Sequence, residues 1–491
     1  MRELRASVTA SFERARLALG GHPALDPVRR SLDDQMAKLR APMTVALVGR
    51  VSCGKSTLVN ALLGGYQVPT GVNELTLNIA ILRYGAVPGL TVHYDDGRPP
   101  ERHDLHELEA LVGRQAQDLK GISHLEVVAD LDQLRSFDLV DTVGLDAHFG
   151  DESGKTLGFL GRTGADVRSS SLTHAARADA IVLAFARGLN LDDAALLADF
   201  RGLDIAGLGP LNALGVLNKV EMGWSADRPD PFQDADRVAA RLMSAPGVRT
   251  TMLTILPVAG LMASAAGTCT ETDFADLTEL SRLDPGELAE RVDRGEIFFE
   301  YADIDVPGDR RADLVRRFSE FGVVTACALI RDGADLPALR SELADRSRLT
   351  TLRGLLLDHF GRRADVIKTT GALGWLRTLR PVGLPVRAEV AYGRALGELS
   401  LMEARESVAL EQLKVLRDGY EGRLGLSPED LEESRRVLGE HGGVEVSGDV
   451  GDRVRYWSEL AFHPGFDVVT RNAARVVRAA YTNLAQRGSR Q

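Results

Sequence analysis

The segment GRVSCGKST, from Gly49 to Thr57, carries chemistry most directly. It fits GxxxxGK[ST], with Gly49, Gly54, Lys55 and Ser56 at the fixed places. The glycines let backbone N–H groups close on phosphate oxygens, and the start of the following helix adds its positive dipole end. Lys55 reaches β- and γ-phosphates and Ser56 ligates Mg²⁺, so the chemistry is nucleoside triphosphate binding. Arg50, Val51, Ser52, Cys53 and Thr57 complete the loop lining. TVALVG before the loop reads as a strand and STLVNALLG after it has helical spacing, the context the motif requires. Seven lysines stand against 52 arginines, and two of the seven lie in GKS and NKVE. Lys55 and Lys219 are therefore candidates for tasks that need a compact ammonium.

Three further segments complete a nucleotide site. In DLVDTVGL a strand carries Asp141 to its end and Gly144 follows; such an acid holds the Mg²⁺ shell and such a glycine N–H senses the γ-phosphate. NKVE ends another strand, and Asn218 and Glu221 have the spacing of an amide and an acid that read guanine, with the Lys219 stem on the base. The usual acid is Asp, so Glu221 weakens the inference; GTP is favoured and ATP is the alternative. In VAG, the Ala259 N–H takes the place where a donor would meet the guanine oxygen. VPTGVNELTLN offers Thr70 and Thr76 as the switch over the γ-phosphate; Thr76, directly before a strand, is preferred over Thr70, the alternative being a solvated turn.

The elements that must hold these residues follow from apolar patterning. IAILRYG, LTVHYD, LEVVAD, FDLVDTVG, AIVLAFA, ALGVLNK and MLTILPVAG are strand-length runs separated in several places by helical patterns, which predicts an α/β domain with a mostly parallel sheet and helices on both faces. That domain is expected over 43–265, after N-terminal helices in 1–42. Beyond 265 the strand signal fades, and helices are expected at 310–331, 334–346, 349–379, 386–423, 427–440 and 465–487. Two of them, at thirty or more residues, would reach on the order of 45 Å, which suggests an extended bundle or stalk over 266–491. GEHGGVEVSGDVGD near 439–452 is Gly-rich.

Composition limits the function classes. At 491 residues two or three domains are expected. A net charge of −11 and a pI near 5.5 give no whole-chain attraction to nucleic acid or anionic lipid, so any such contact is local and no nucleic-acid partner is expected. Cys53, Cys269 and Cys327 lack metal-ligand spacing and read as reduced thiols of a cytosolic protein. The N-terminal stretch reads as a helix, not a signal peptide, and no transmembrane segment is expected, because the apolar run Met252 to Ala266 is too short and contains Pro257. His441 and His463 have no partner at ligand spacing, and GDESGKTLGFLGRTG reads as a mobile switch segment and not as a second phosphate loop.

In order and spacing, GRVSCGKST, NELTLNIAILRYG, DTVGL and NKVE resemble the bacterial dynamin-like proteins. The likeness is to the actinobacterial branch, which includes the mycobacterial isoniazid-inducible proteins and the Streptomyces pair at sporulation septa. It extends into RRFSEFGV, ELADRSRLTTLRGLLLDHFGRRADVIK and LSPEDLEESRRVLG. The resemblance implies a GTPase head on a helical neck and trunk, with N-terminal helices packing in the neck. It implies GTP hydrolysis with Mg²⁺ coupled to head self-association and peripheral membrane remodelling, on the cytoplasmic side of the cell membrane, with a paralogous partner as a further expectation. Ser52 matches the family serine that helps hold a charge-compensating cation. Val51 stands where eukaryotic dynamins place Gln, Val143 where Pro is usual and Glu221 where Asp is usual; slow or partner-dependent hydrolysis follows. Arg50 and Arg187 are either suppliers of transition-state charge or ordinary surface arginines. For the lipid-contacting tip the candidate is GWLRTLRPVGLPVR, with Trp375, Leu379, Val382 and Leu384 at the interface and Arg377, Arg380 and Arg387 beside headgroups; the alternative is an interhelical turn buried in the bundle. Two rival readings stay open: a soluble assembly GTPase without lipid contact, and a non-hydrolysing GTP-binding partner subunit.

Overall fold

The structure, a computed structural model, describes residues 2–50, 52–64, 79–94, 97–104, 122–141, 178–186, 212–249, 251–361, 363–378, 383–438 and 449–488. Through those residues the chain forms two compact units, one of Met1–Met43, Asp204–Asn212 and Asp358–Gln491, the other of Thr44–Leu203 and Ala213–Leu357.

The second unit is built on a nine-stranded sheet of order β4-β3-β5-β2-β6-β1-β7-β8-β9. The strands are β1 (Met43–Gly49), β2 (Ile79–Tyr84), β3 (Gly89–Tyr94), β4 (Glu101–His103), β5 (Ile122–Ala129), β6 (Phe137–Asp141), β7 (Ala180–Ala186), β8 (Ala213–Asn218) and β9 (Ile255–Pro257). β1, β7, β8 and β9 run parallel, and β2 runs antiparallel to β6. MTVALVG and AIVLAFA are almost wholly buried, as strands covered on both faces must be. β5, ISHLEVVA, alternates between buried and half-exposed positions towards the sheet's other edge. Register places Gly49 beside Ala184 and Ala186 beside Asn218, so the carboxyl ends of β1, β7 and β8 end at one place, where parallel α/β sheets bind ligands.

α3 (Lys55–Leu63) follows β1, and α4 (Pro231–Ser244) precedes β9; α1 (Arg2–Leu19) and α2 (Asp26–Arg40) belong to the other unit. After β9 come α5 (Gly260–Thr268), α6 (Glu271–Leu280), α7 (Pro285–Asp293), α8 (Gly308–Arg331), α9 (Leu336–Arg346) and α10 (Leu349–Leu355). The unit continues past residue 265, where the strand pattern placed a boundary, because α5, GLMASAAGT, has little polar face of its own. It is covered by α3, α8 and α9. The approach to α3 is backbone to backbone: a Cβ on Gly267 would lie 2.2 Å from the Gly64 carbonyl oxygen.

α6 starts with a capping box between Thr270 and Asp273. Asp273 is also a hub for α8. It pairs with Arg310 and accepts from Arg317 Nη1 at 3.0 Å. α8 is interrupted at Ser319, whose φ of 66° lies in the left-handed region and whose Oγ accepts from Gly322 N–H at 3.2 Å, so it restarts the helix as a cap.

In the first unit, α1 (Arg2–Leu19) and α2 (Asp26–Arg40) pack with α11 (Ala364–Thr378), and α1 lies along α12 (Val386–Arg405). Arg5 Nη1 pairs with Asp365 at 2.7 Å and Lys368 Nζ donates to Lys38 O at 2.6 Å. α13 (Ser407–Tyr420), α14 (Pro428–Val437), α15 (Val450–Phe462) and α16 (Val468–Gly488) follow. α15 and α16 close on a buried Trp457, whose Nε1 donates to Glu433 at 3.0 Å while Tyr481 OH donates to the same carboxylate at 2.6 Å.

Both very long helices expected from the sequence are broken. The first divides into α10, a π-helical segment Leu356–Gly361 and α11; the second turns at Glu406, whose φ of −96° and ψ of 14° leave the helical region. α15 was not expected from the pattern. Among the described residues no helix is long and apolar enough to cross a membrane.

Burial raises the Asp273 carboxyl, but the hydrogen bonds and charge of Arg317 together with the Thr270 cap outweigh it and hold the group at about 2. A carboxyl depressed below its ordinary value of about 3.9 adds stability that is complete above that pH and is lost as pH falls through the folded value. Asp273→Asn is expected to cost on the order of 2 kcal/mol in urea unfolding at pH 7. The gap to wild type should narrow steadily between about pH 4 and pH 2. A gap that does not change with pH would contradict the role assigned to the charge.

Candidate nucleotide site

The loop after β1 is shaped by steric necessity. A Cβ on Gly49 would lie 2.2 Å from the Ala184 carbonyl oxygen of β7. Gly54 has a φ of 87°, and a Cβ there would lie 2.3 Å from Asn218 Nδ2. Ser52 is also left-handed, at φ 60°. The chain thus leaves β1, turns through Ser52 and Gly54, and enters α3 at Lys55. Thr57 lies in the first turn of α3, and Cys53 is buried at the base of the loop.

Lys55 is buried, and its Nζ donates to Gly49 O at 3.1 Å and Arg50 O at 2.9 Å. An ammonium has three donors, so the two carbonyls position it while a third hydrogen remains for an anion. Ser56 Oγ donates to Asp141 Oδ2 at 3.3 Å. Asp141, at the end of β6, is completely buried and its Oδ1 has no partner among the described residues. Burial raises its carboxyl to about 6, against the charge of Lys55 and the Ser56 hydrogen bond. A carboxylate oxygen without a donor in such a place is costly unless a cation completes it. Ser56 and Asp141 therefore fit Mg²⁺.

On the base side, Asn218 Nδ2 donates to Cys53 O at 2.9 Å and Gly54 O at 3.2 Å, which ties the end of β8 to the loop; its Oδ1 has no partner. Lys219 is left-handed, with its stem alongside Gly54. Ala259 and Glu221, expected to meet the base, also make contacts within the fold. Ala259 N–H donates to Ser347 O at 3.2 Å. Glu221 is 2% exposed and its Oε1 accepts from Leu261 N–H at 2.8 Å, in the first turn of α5. Burial raises its carboxyl, against the lowering effect of that amide.

Val51, Thr76 and Gly144 lie outside the described residues, as do Thr70, Val143, Arg187, His441 and the segment GDESGKTLGFLGRTG. The structure thus brings together Gly49, Arg50, Ser52, Cys53, Gly54, Lys55, Ser56, Asp141, Asn218 and Lys219. Far along the chain, Trp375 does not lie free for an interface. It is half-buried on α11, its ring meets Phe12 at 5.8 Å between centroids and its Nε1 donates to Ser31 Oγ at 3.1 Å. Leu384 is half-buried, and Leu379 and Val382 lie outside the described residues.

Sequence reasoning missed two supports of the site. Ser347, wholly buried, holds the end of β9 through Ala259, and Arg348 beside it is left-handed and makes a two-pronged bond to Asp236 at 2.6 and 2.7 Å. Arg353, on α10, donates to the Ala61 and Leu62 carbonyls at 2.8 and 3.3 Å and so closes the far end of α3. Neither has a local motif.

A model of the dynamin family matches residues 45–183. The Isoniazid-induced protein IniC of Mycobacterium tuberculosis is 31% identical over 487 residues, spanning 94% of this chain and 93% of that protein. The chain belongs to the dynamin family. Dynamin-like protein 2 of Campylobacter jejuni is 32% identical over 124 residues, 25% of this chain and 20% of its own. A chain from a structure of an oligomerised bacterial dynamin pair, said to provide a mechanism for long-range sensing and tethering of membranes, is 13% identical with a TM-score of 0.37. It covers 98% of this chain and 90% of that one.

For this dynamin family member, Gly54→Ala meets both a forbidden φ and Asn218. The variant should bind a fluorescent GTP analogue at least about tenfold more weakly with an unchanged far-UV spectrum. Affinity within about threefold of wild type would contradict the loop geometry.

Proposed function

We propose that this chain binds GTP with Mg²⁺ and hydrolyses it, and that the nucleotide state governs association between heads and peripheral contact with membrane lipid, alone or with a second, similar chain. The observation that carries the nucleotide part is the buried Asp141 carboxylate, with an unpartnered oxygen beside Ser56 and Lys55. The strand-bearing stretch 43–265 carries the GTPase site, with 266–357 completing its unit, while 1–42 pack in the neck and the helices beyond 357 include the trunk. The protein acts at the inner face of the cell membrane.

In this mechanism Lys55 and the loop amides from Arg50 to Ser56 grip the phosphates and withhold them from water. Ser56, Asp141 and Thr76 would hold Mg²⁺, which would supply positive charge to offset that of the phosphates. Gly144 senses the γ-phosphate and Ser52 assists where charge develops in the transition state. Asn218 fixes the loop to β8. Val51 has no polar atom with which to orient water, so turnover is slow or requires a partner. Lipid contact is supported by family membership.

The test is GTP turnover with Mg²⁺ as a function of protein concentration, beside Lys55→Ala. Turnover per molecule should rise with concentration and fall at least about a hundredfold in the variant. GTP bound tightly without turnover at any concentration would instead identify a partner-dependent subunit. Co-sedimentation with anionic liposomes should increase with GTP, and no binding in any nucleotide state would favour a soluble assembly GTPase.

A further inference from the structure

α12 has two faces of opposite function. One is buried, through Ala388, Ala391, Ala395, Leu399 and Met402, and α12 lies along α1, where Glu398 pairs with Arg14 at 3.0 Å. On the other, Val386, Val390, Gly393, Gly397, Leu401 and Ala404 recur at spacings of three and four, which at about 3.6 residues per turn makes one stripe. Every member is exposed, Val386 by 77%, Val390 by 53% and Leu401 by 51%. A helix with one face in its own core ordinarily turns polar residues outwards, and an apolar stripe there marks a contact. The two glycines have no reason inside the chain. A Cβ on either would meet nothing within 4 Å, although glycine weakens a helix interior. Their smallness serves only something that approaches from outside.

The charges beside the stripe are sorted by sign. Arg387, Arg394 and Arg405 follow one edge and Glu389 and Glu403 the other, and among the described residues none of them has an ion-pair partner. We infer that the stripe is a contact between two copies of this chain, with their α12 helices parallel and in register. Charge selects that orientation. In an antiparallel pair like edges meet, arginine against arginine; in a parallel pair the basic edge of each helix meets the acidic edge of the other, and Glu389 faces Arg394 of the second copy. A two-fold contact uses the same patch on both copies, so each residue of the stripe meets its own counterpart. Gly393 and Gly397 then let the backbones come close, and Val390 and Leu401 pack on either side of them. One helix pair is smaller than a standard interface, so the contact is weak by itself and is best seen by trapping. It lies apart from the nucleotide site and does not depend on the GTP proposal.

The test is disulfide trapping of the full chain without nucleotide. Cys53, Cys269 and Cys327 are buried, so a cysteine on the stripe reacts selectively. Val390→Cys and Leu401→Cys should each give a covalent dimer under mild oxidation, because in a parallel pair both lie opposite themselves, within the Cα separation of about 7 Å that a disulfide allows. Leu17→Cys, exposed on α1, is the collision control and should give none. Adding Arg394→Glu to Val390→Cys should slow trapping about fivefold or more, and adding Glu389→Arg as well should restore it, since the pair is remade with its signs exchanged. Dimer from Val390→Cys or Leu401→Cys no faster than from Leu17→Cys would overturn the inference. So would trapping at Gly397→Cys alone, the mark of an antiparallel crossing, or a double exchange that does not restore the rate. A fluorophore on Val390→Cys whose emission moves to the blue on phosphatidylglycerol vesicles, while no disulfide forms, would give the face to lipid and also contradict the pairing.

Discussion

The phosphate loop works only because α3 is held at both ends. At its start, Gly49 and Gly54 are fixed by the Ala184 carbonyl and the Asn218 amide, and Lys55 is tied to two loop carbonyls. At its finish, Arg353 occupies the Ala61 and Leu62 carbonyls, and Gly267 of α5 approaches the Gly64 carbonyl with no room for a side chain. Burial lowers the pKa of the Arg353 guanidinium, a cost accepted because the last carbonyls of a helix need donors and a cation there also meets the negative end of its dipole. α3 is thus held by α5 and α10 at the end away from the loop.

Three buried polar atoms that lack a partner among the described residues lie at the same end of the sheet. Asp141 Oδ1, Asn218 Oδ1 and Glu221 Oε2 are buried without partners among the described residues, while the apolar strands around them are buried. Such conflicts between local chemistry and burial mark sites where a ligand completes the structure. They are of two kinds. Asp141 lies beside Ser56 and Lys55, and at Glu221 one oxygen accepts from Leu261 N–H while the other stays open.

How much the sequence reveals depends on whether the physics is local. GxxxxGK[ST] encodes its own turn, its helix start and its cation, so Gly49, Gly54, Lys55 and Ser56 were legible without a structure. Asp141 was legible because a strand end followed by a glycine carries it to the same edge. Ala259 and Glu221 had the right spacing, but their roles are decided by Ser347 and Leu261, which no local pattern links to them. The long helical patterns are continuous in residue type, so neither the π-helical segment Leu356–Gly361 nor the turn at Glu406 could be seen in them. Trp375 read as an interfacial anchor by composition, yet Ser31 and Phe12 gave its indole both a hydrogen bond and a packed face.

The central claim is that Asp141 is a desolvated carboxylate completed by a cation when nucleotide binds. Titration calorimetry of a non-hydrolysable GTP analogue, with and without Mg²⁺, on wild type and Asp141→Asn tests it directly. Mg²⁺ should strengthen binding by about tenfold or more in wild type and by much less in the variant. Equal strengthening in both proteins, or none in wild type, would contradict the account.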